Sequence, residues 1–168
     1  MDPGLRRLNG LSRDEAEAEL RTCCASRRWA AAMAVRRPFE DRAAVWEAAA
    51  KTMAGLGWDD IEEALRAHPR IGERIGGDAR EASWSRREQA GVDGAGDDLK
   101  AALVEGNRAY EERFGHVFLI CATGRSAAEM LAELRGRLAN DPEAERAVVR
   151  DELAKITELR LAKLLGGG

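Results

Sequence analysis

Helix-start signals recur from one end of this chain to the other, and almost nothing between them could pair as strand. Ser12-Arg13-Asp14-Glu15 has the Ser-x-x-Glu form of a capping box, in which the serine oxygen and the glutamate carboxylate satisfy free amides of a first helical turn. The form returns at Ser126-Ala127-Ala128-Glu129, and Asp59-Asp60-Ile61-Glu62 carries a related pattern. Asp141-Pro142 puts proline at the favoured first helical position. Alanine, leucine, arginine and glutamate dominate the segments between, and they are strong helix formers. These signals predict helices from Ser12 to about Cys24, from Asp59 to the stop at Pro69, from Asp97 to Phe114, from Ser126, and from Asp141 onward. Trp46, Ala49, Met53 and Leu56 recur at spacings of three and four, the apolar stripe of another helix closed by Gly55 and Gly57.

The only β-like run is Val117 to Ala122, too short and solitary to found a sheet, and it predicts a buried extended connection. Gly91 to Gly96 reads as the most flexible internal segment and Gly166 to Gly168 as a frayed tail. The expected fold is therefore all-α: a single compact multi-helix domain over residues 1–168, with one short extended segment near 117–122 and no internal repeat.

The bulk properties narrow the function classes. A chain of 168 residues can bury a real core, and 45% hydrophobic with 34% charged residues fits a globular protein rather than a disordered one. A net charge of −3 gives no electrostatic reason for a nucleic-acid partner. No apolar stretch approaches the ~20 residues that span a bilayer, and Arg6-Arg7 is not followed by the apolar core of a secretory signal. Cys23, Cys24 and Cys121 are a poor disulfide framework and point to a reducing cytoplasm. Two histidines far apart, with no Cys-x-x-Cys, predict no metal site.

Four groups of residues could carry chemistry. In His68-Pro69-Arg70-Ile71-Gly72, His68 follows Ile61 and Leu65 at helical spacing, and the proline pushes it out of helical geometry. It is either a satisfied core histidine or an imidazole turned toward a cleft. In Ser85-Arg86-Arg87-Glu88-Gln89, the Ser-x-x-Glu spacing reads as a capping box that would hold Glu88 on a first helical turn beside free amides, a site for an anion. Gln89 adds a donor and acceptors. Arg160 lies in the apolar arc of Val149, Leu153, Ile156 and Leu164, where it must be paired or reach a cavity. It is either half of a buried ion pair or a fork for a substrate carboxylate or carbonyl. His116 reads as a packing residue, Cys121 as a small buried hydrophobe, and the four tryptophans as core.

Together these segments resemble the 2-oxo-4-hydroxy-4-carboxy-5-ureidoimidazoline (OHCU) decarboxylases of the urate-to-allantoin pathway. The resemblance runs through Leu8-Asn9, Cys23-Cys24-x-Ser26 with Trp29-Ala30, Arg37-Pro38-Phe39, the His-Pro motif, and Trp84-Ser85 with Glu88-Gln89. It continues through Phe114-Gly115, Phe118-Leu119-Ile120-Cys121-Ala122, Arg137-Leu138-Ala139-Asn140, Lys155-Ile156-Thr157 and Leu159-Arg160-Leu161. It implies an all-α homodimer that needs no cofactor, binds a small ureidoimidazoline, and uses His68 as catalytic acid/base with Glu88 beside it. Pro69, Ser85, Glu88, Gln89, the segment Phe118 to Ala122 and Arg160 are the implied substrate contacts, and the place of Arg125 is open. The C-terminus lacks the peroxisomal address that some family members carry, which suits a cytoplasmic enzyme. Two other readings compete: a non-catalytic helical module binding a small anion or a protein, and a ureide-ring hydrolase.

Overall fold

The computed structural model describes residues 2–73 and 79–166. Ten α-helices and no β-strand form among them, the all-α architecture expected. The predicted tail falls partly outside the described residues, which end at Gly166.

Local chemistry sets where each helix begins. Asp2 accepts the amides of Gly4 and Leu5 at 2.9 and 3.2 Å, with Pro3 in the first turn, and opens α1 (Pro3–Gly10). This helix has no capping box, so the Ser-x-x-Glu pattern places the first helix start only at Ser12. Ser12 and Glu15 then form the predicted reciprocal box and start α2 (Arg13–Cys23). Ser26 caps α3 (Arg27–Val35), Asp41 caps α4 (Arg42–Ala54), and α5 (Trp58–Leu65) stops short of Pro69. Then follow α6 (Arg80–Glu88), α7 (Ala90–Asp93) and α8 (Asp97–Phe114), the last with the boundaries predicted. The Ser126–Glu129 box opens α9 (Ala127–Arg137), and Pro142 opens α10 (Pro142–Leu164).

Two expectations fail here. Ser85 and Glu88 do not cap a helix: both lie in the second half of α6, whose N-cap is Ala79 without a side-chain bond. Residues three apart share a helix face as readily as they share a cap, and Trp84, Ser85 and Glu88 are the buried residues of α6. The anion site imagined at a first turn beside Glu88 therefore does not form. The supposedly loose stretch after Gly91 is in part helical, since α7 spans Ala90–Asp93 and buries Val92.

The helices fall into two compact units, Met1–Ala64 with Leu153–Gly168, and Leu65–Glu152. In the first, α3 packs against α2 and α4. Leu20, Trp29, Met33, Val45 and Leu161 are fully buried, each contributing on the order of 1.5–3 kcal/mol by leaving water. Asn9 and Phe39 exchange two hydrogen bonds of 2.9 Å, and the Arg37 guanidinium donates to the carbonyls of Leu8 and Leu11 at 2.8 Å each. Two motif segments, Leu8-Asn9 and Arg37-Pro38-Phe39, thus hold one another. Of the tryptophans, Trp29 and Trp84 are buried while Trp46 and Trp58 are only half-buried.

In the second unit α8 packs on α9. Leu103, Tyr110, Phe118, Met130 and Leu134 form its apolar centre, and Ile71 and Val92 join the same cluster. At Gly91 the backbone comes so close to the Arg125 carbonyl that a Cβ there would lie 2.1 Å from its oxygen. Only glycine permits that approach.

Candidate active site

His68 follows the last turn of α5. Its amide donates to the Leu65 carbonyl at 3.0 Å, and Pro69, which has no amide to offer, ends the run. His68 is half-buried.

The residues after it are fastened one by one. The Arg70 guanidinium makes a bidentate pair with Glu111 of α8 at 2.8 and 2.9 Å. The Ile71 side chain enters the apolar cluster, while its carbonyl accepts from Asn107 Nδ2 at 2.8 Å. Gly72 has a φ of +86°, a left-handed conformation that disfavours any side chain, and its amide donates to Gln89 Oε1 at 3.1 Å. The His-Pro segment is therefore held from three directions by α8 and by the residue that follows α6.

Gln89 is where the second motif meets the first. Ser85, Glu88 and Gln89 are all buried, at 5%, 9% and 8% exposure. A cavity of about 340 Å³ is lined by Gly72, Glu73, Arg86, Gln89, Val92, Asp93 and Lys100, so the ends of both motifs border it, while His68, Ser85, Glu88 and the segment Phe118 to Ala122 do not line it. A larger groove of about 660 Å³ runs along α8 past Arg70 and Ile71 of the His-Pro segment and past Val104, Asn107 and Glu111, without His68, Pro69 or Gln89. Its lining joins the Arg70–Glu111 ion pair to Ile71, the buried amide of Asn107 and the exposed Val104.

The segment Phe118 to Ala122 has no regular secondary structure. Phe118, Leu119, Ile120 and Ala122 are buried and Cys121 is half-buried, more open than the sequence suggested. Its backbone is gripped from α9 and α10. Arg137 Nη1 donates to the Leu119 carbonyl at 2.7 Å, and Glu152 Oε1 accepts the Cys121 amide at 3.1 Å. Arg137 is bound in turn to Glu145 at 2.6 and 2.9 Å, and Tyr110 donates its hydroxyl to the same carboxylate. Burial and then the hydrogen bond to Glu145 push the Tyr110 phenol well above its usual range, so it stays a donor.

None of Arg137, Glu145, Glu152 or Asn107 received a role from the sequence, although Arg137 opens one segment of the family resemblance. The signal that exposed Arg160 would have found Arg137. On α9 the buried positions Ala127, Met130, Leu134 and Arg137 recur at spacings of three and four, with the guanidinium where an apolar side chain belongs.

Arg160 belongs to the other unit. It is buried, at 5% exposure, on the same helix as buried Val149, Leu153, Ile156 and Leu164, and its Nη1 donates to the Thr22 carbonyl at 3.3 Å. Nearby Cys24 is buried as well, which raises its thiol to about 11 and leaves it without nucleophilic character. His116 packs among Tyr110 and Phe114, the packing part expected of it.

A sequence model of the OHCU decarboxylases matches residues 9–162. The chain belongs to the OHCU decarboxylase family. It is 36% identical to the uric acid degradation bifunctional protein of Arabidopsis thaliana over 88% of this chain and 47% of that protein. It is 36% identical to the mouse (Mus musculus) 2-oxo-4-hydroxy-4-carboxy-5-ureidoimidazoline decarboxylase over 62% of this chain and 60% of that one. The chain thus spans about half the length of the first relative and about three-fifths of the second. The crystal structure of an OHCU decarboxylase in the presence of (S)-allantoin shares the fold, with a TM-score of 0.76 and 34% identity over 88% of this chain and 97% of that one. No helix among the described residues is long and apolar enough to cross a membrane.

Proposed function

We propose that this chain decarboxylates 2-oxo-4-hydroxy-4-carboxy-5-ureidoimidazoline to (S)-allantoin without a cofactor, with His68 as acid/base. The observation that carries the reading is that the family match spans both the His-Pro segment and the Ser-x-x-Glu-Gln segment, and that Gly72 and Gln89 tie the two together.

The substrate supplies its own electron sink. The carbon bearing the hydroxyl and the carboxylate neighbours a C=N carbon. When the bond to the carboxylate breaks, its electron pair moves into that C=N and CO₂ leaves. The nitrogen of that C=N, which now carries the displaced electron pair, takes one proton; the hydroxyl gives up its proton as the carbonyl forms, and the former C=N carbon takes a proton on one face. Substrate carboxylate plus one proton gives allantoin plus CO₂, with no change of oxidation state that an outside reagent must supply. An imidazole titrating near neutral pH suits a step that takes a proton from oxygen and delivers one to carbon.

In this reading Glu88 fixes the orientation or tautomer of His68, and Ser85, Pro69 and Gln89 hold the ring. Through the family pattern the backbone of Phe118, Leu119, Ile120, Cys121 and Ala122 forms a wall against the bound ring. Arg160 enters through the family pattern as a second contact to a ring carbonyl or the ureido group. A carboxylate held in a dry pocket and turned out of the ring plane departs more readily. We also place the protein in the cytoplasm as a homodimer, a state that sedimentation of the purified chain would test by its mass.

The test is His68→Gln, assayed by loss of substrate absorbance above the spontaneous rate. Removing an acid/base group should cost roughly 10²–10⁴ in kcat and should leave allantoin racemic. A variant that keeps both its rate and a single enantiomer would remove His68 from the mechanism.

A further inference from the structure

Resting on the reading that Phe118 to Ala122 walls the substrate pocket, we propose that Arg137 and Glu145 are positioning residues for that wall. Through it they set substrate affinity and the face that is protonated.

An irregular segment lacks the ladder of hydrogen bonds that fixes a strand, so its backbone geometry must be imposed from outside. Here the imposing groups are few and buried. Arg137 is 4% exposed at the end of α9, and Glu145 in α10 is completely buried. The guanidinium has five N–H donors in a rigid fork. Nη1 reaches the Leu119 carbonyl at 2.7 Å, while Nε and Nη2 close on Glu145 Oε2 at 2.9 and 2.6 Å. Its flat face lies over the Phe118 ring, 4.6 Å from the centroid. One side chain therefore fixes two consecutive residues of the wall, one by its ring and the next by its carbonyl.

The carboxylate is fixed as firmly. Tyr110 donates to Glu145 Oε2, and Asn140 Nδ2 donates to Oε1 at 3.0 Å. The segment is then caught a second time two residues on, by Glu152 Oε1 at the Cys121 amide. A buried ion pair adds little net stability over apolar packing of equal volume. What it adds is direction, since a guanidinium fork accepts one carbonyl position where a methionine would accept many. A wall that approaches a small planar ring through its backbone needs that direction, because displacements near 1 Å can cost about 100-fold in rate.

The experiment compares wild type, Arg137→Lys and Tyr110→Phe in the full chain, each checked for its fold by near-ultraviolet circular dichroism. Initial rates over a range of OHCU concentrations separate kcat from KM, and chiral chromatography of freshly formed allantoin gives enantiomeric excess. Arg137→Lys keeps the charge but loses the fork. It should raise KM by about tenfold or more and lower enantiomeric excess. Tyr110→Phe removes one donor from Glu145 while keeping the guanidinium, and should move both quantities the same way by a smaller factor. Folded Arg137→Lys with wild-type KM and enantiomeric excess overturns the proposal. If Arg137→Lys fails to fold, an unchanged Tyr110→Phe overturns it and a shifted one supports it. Wild type without activity on OHCU would instead overturn the underlying reading, so the two failures are distinct.

Discussion

The amide of Gly72 donates to Gln89 Oε1 at 3.1 Å, joining segments 17 residues apart in sequence. Through that bond the His-Pro segment and the end of α6 become one structure.

Replacing Gln89 by leucine should therefore do more than remove a substrate contact. It leaves the part-buried Gly72 amide without its acceptor, which costs about 1–3 kcal/mol, and it frees the residues after Pro69 to shift. Urea unfolding should show the loss of stability, and kcat/KM should fall with it. An unaltered unfolding midpoint would show that water replaces the glutamine at no cost.

The close approach at Gly91 has its own consequence. A Cβ there meets the Arg125 carbonyl oxygen at 2.1 Å, so Gly91→Ala must push α7 or the turn before α9 aside. Overpacking of this kind costs roughly 1–3 kcal/mol. A thermal midpoint equal to wild type would mean that the two backbones separate freely.

Much of this architecture was legible in the sequence. Ser12 with Glu15, Ser126 with Glu129, and Pro142 after Asp141 mark helix starts because their side chains do local work on adjacent amides, which needs no tertiary context. Asp2 and Ser26 do the same work for α1 and α3 without a glutamate three residues on, and so gave a weaker signal. Ser85 and Glu88 misled for a physical reason. The spacing that makes a cap also places two residues on one buried face, and only packing decides between them.

The site was legible in part. His68 was singled out as a candidate because it stands beside proline, and the buried place of Arg160 stood out because an arginine in an apolar arc is locally anomalous. The grip of Arg137 on the Leu119 carbonyl did not, since it joins residues 18 apart through a backbone atom and no side-chain pattern records it.

Asp2 provides a test of the electrostatics that is independent of the active site. The hydrogen bond from Arg42, followed by the amide of Leu5, lowers its carboxyl from 3.8 to about 2. A carboxylate whose pKa is lowered by folding adds stability that is fully present above its unfolded value and disappears as pH falls through the folded one. Asp2→Asn keeps the helix cap but loses the pairing. The stability difference between wild type and Asp2→Asn should be constant above about pH 4 and should vanish near pH 2. A difference that is independent of pH across that window would contradict the pairing.

The most direct test of the central claim is to mix the purified chain with freshly prepared OHCU and follow the optical activity of the allantoin formed. The expected result is accelerated CO₂ release and a single product, (S)-allantoin. Racemic allantoin formed at the spontaneous rate would contradict it.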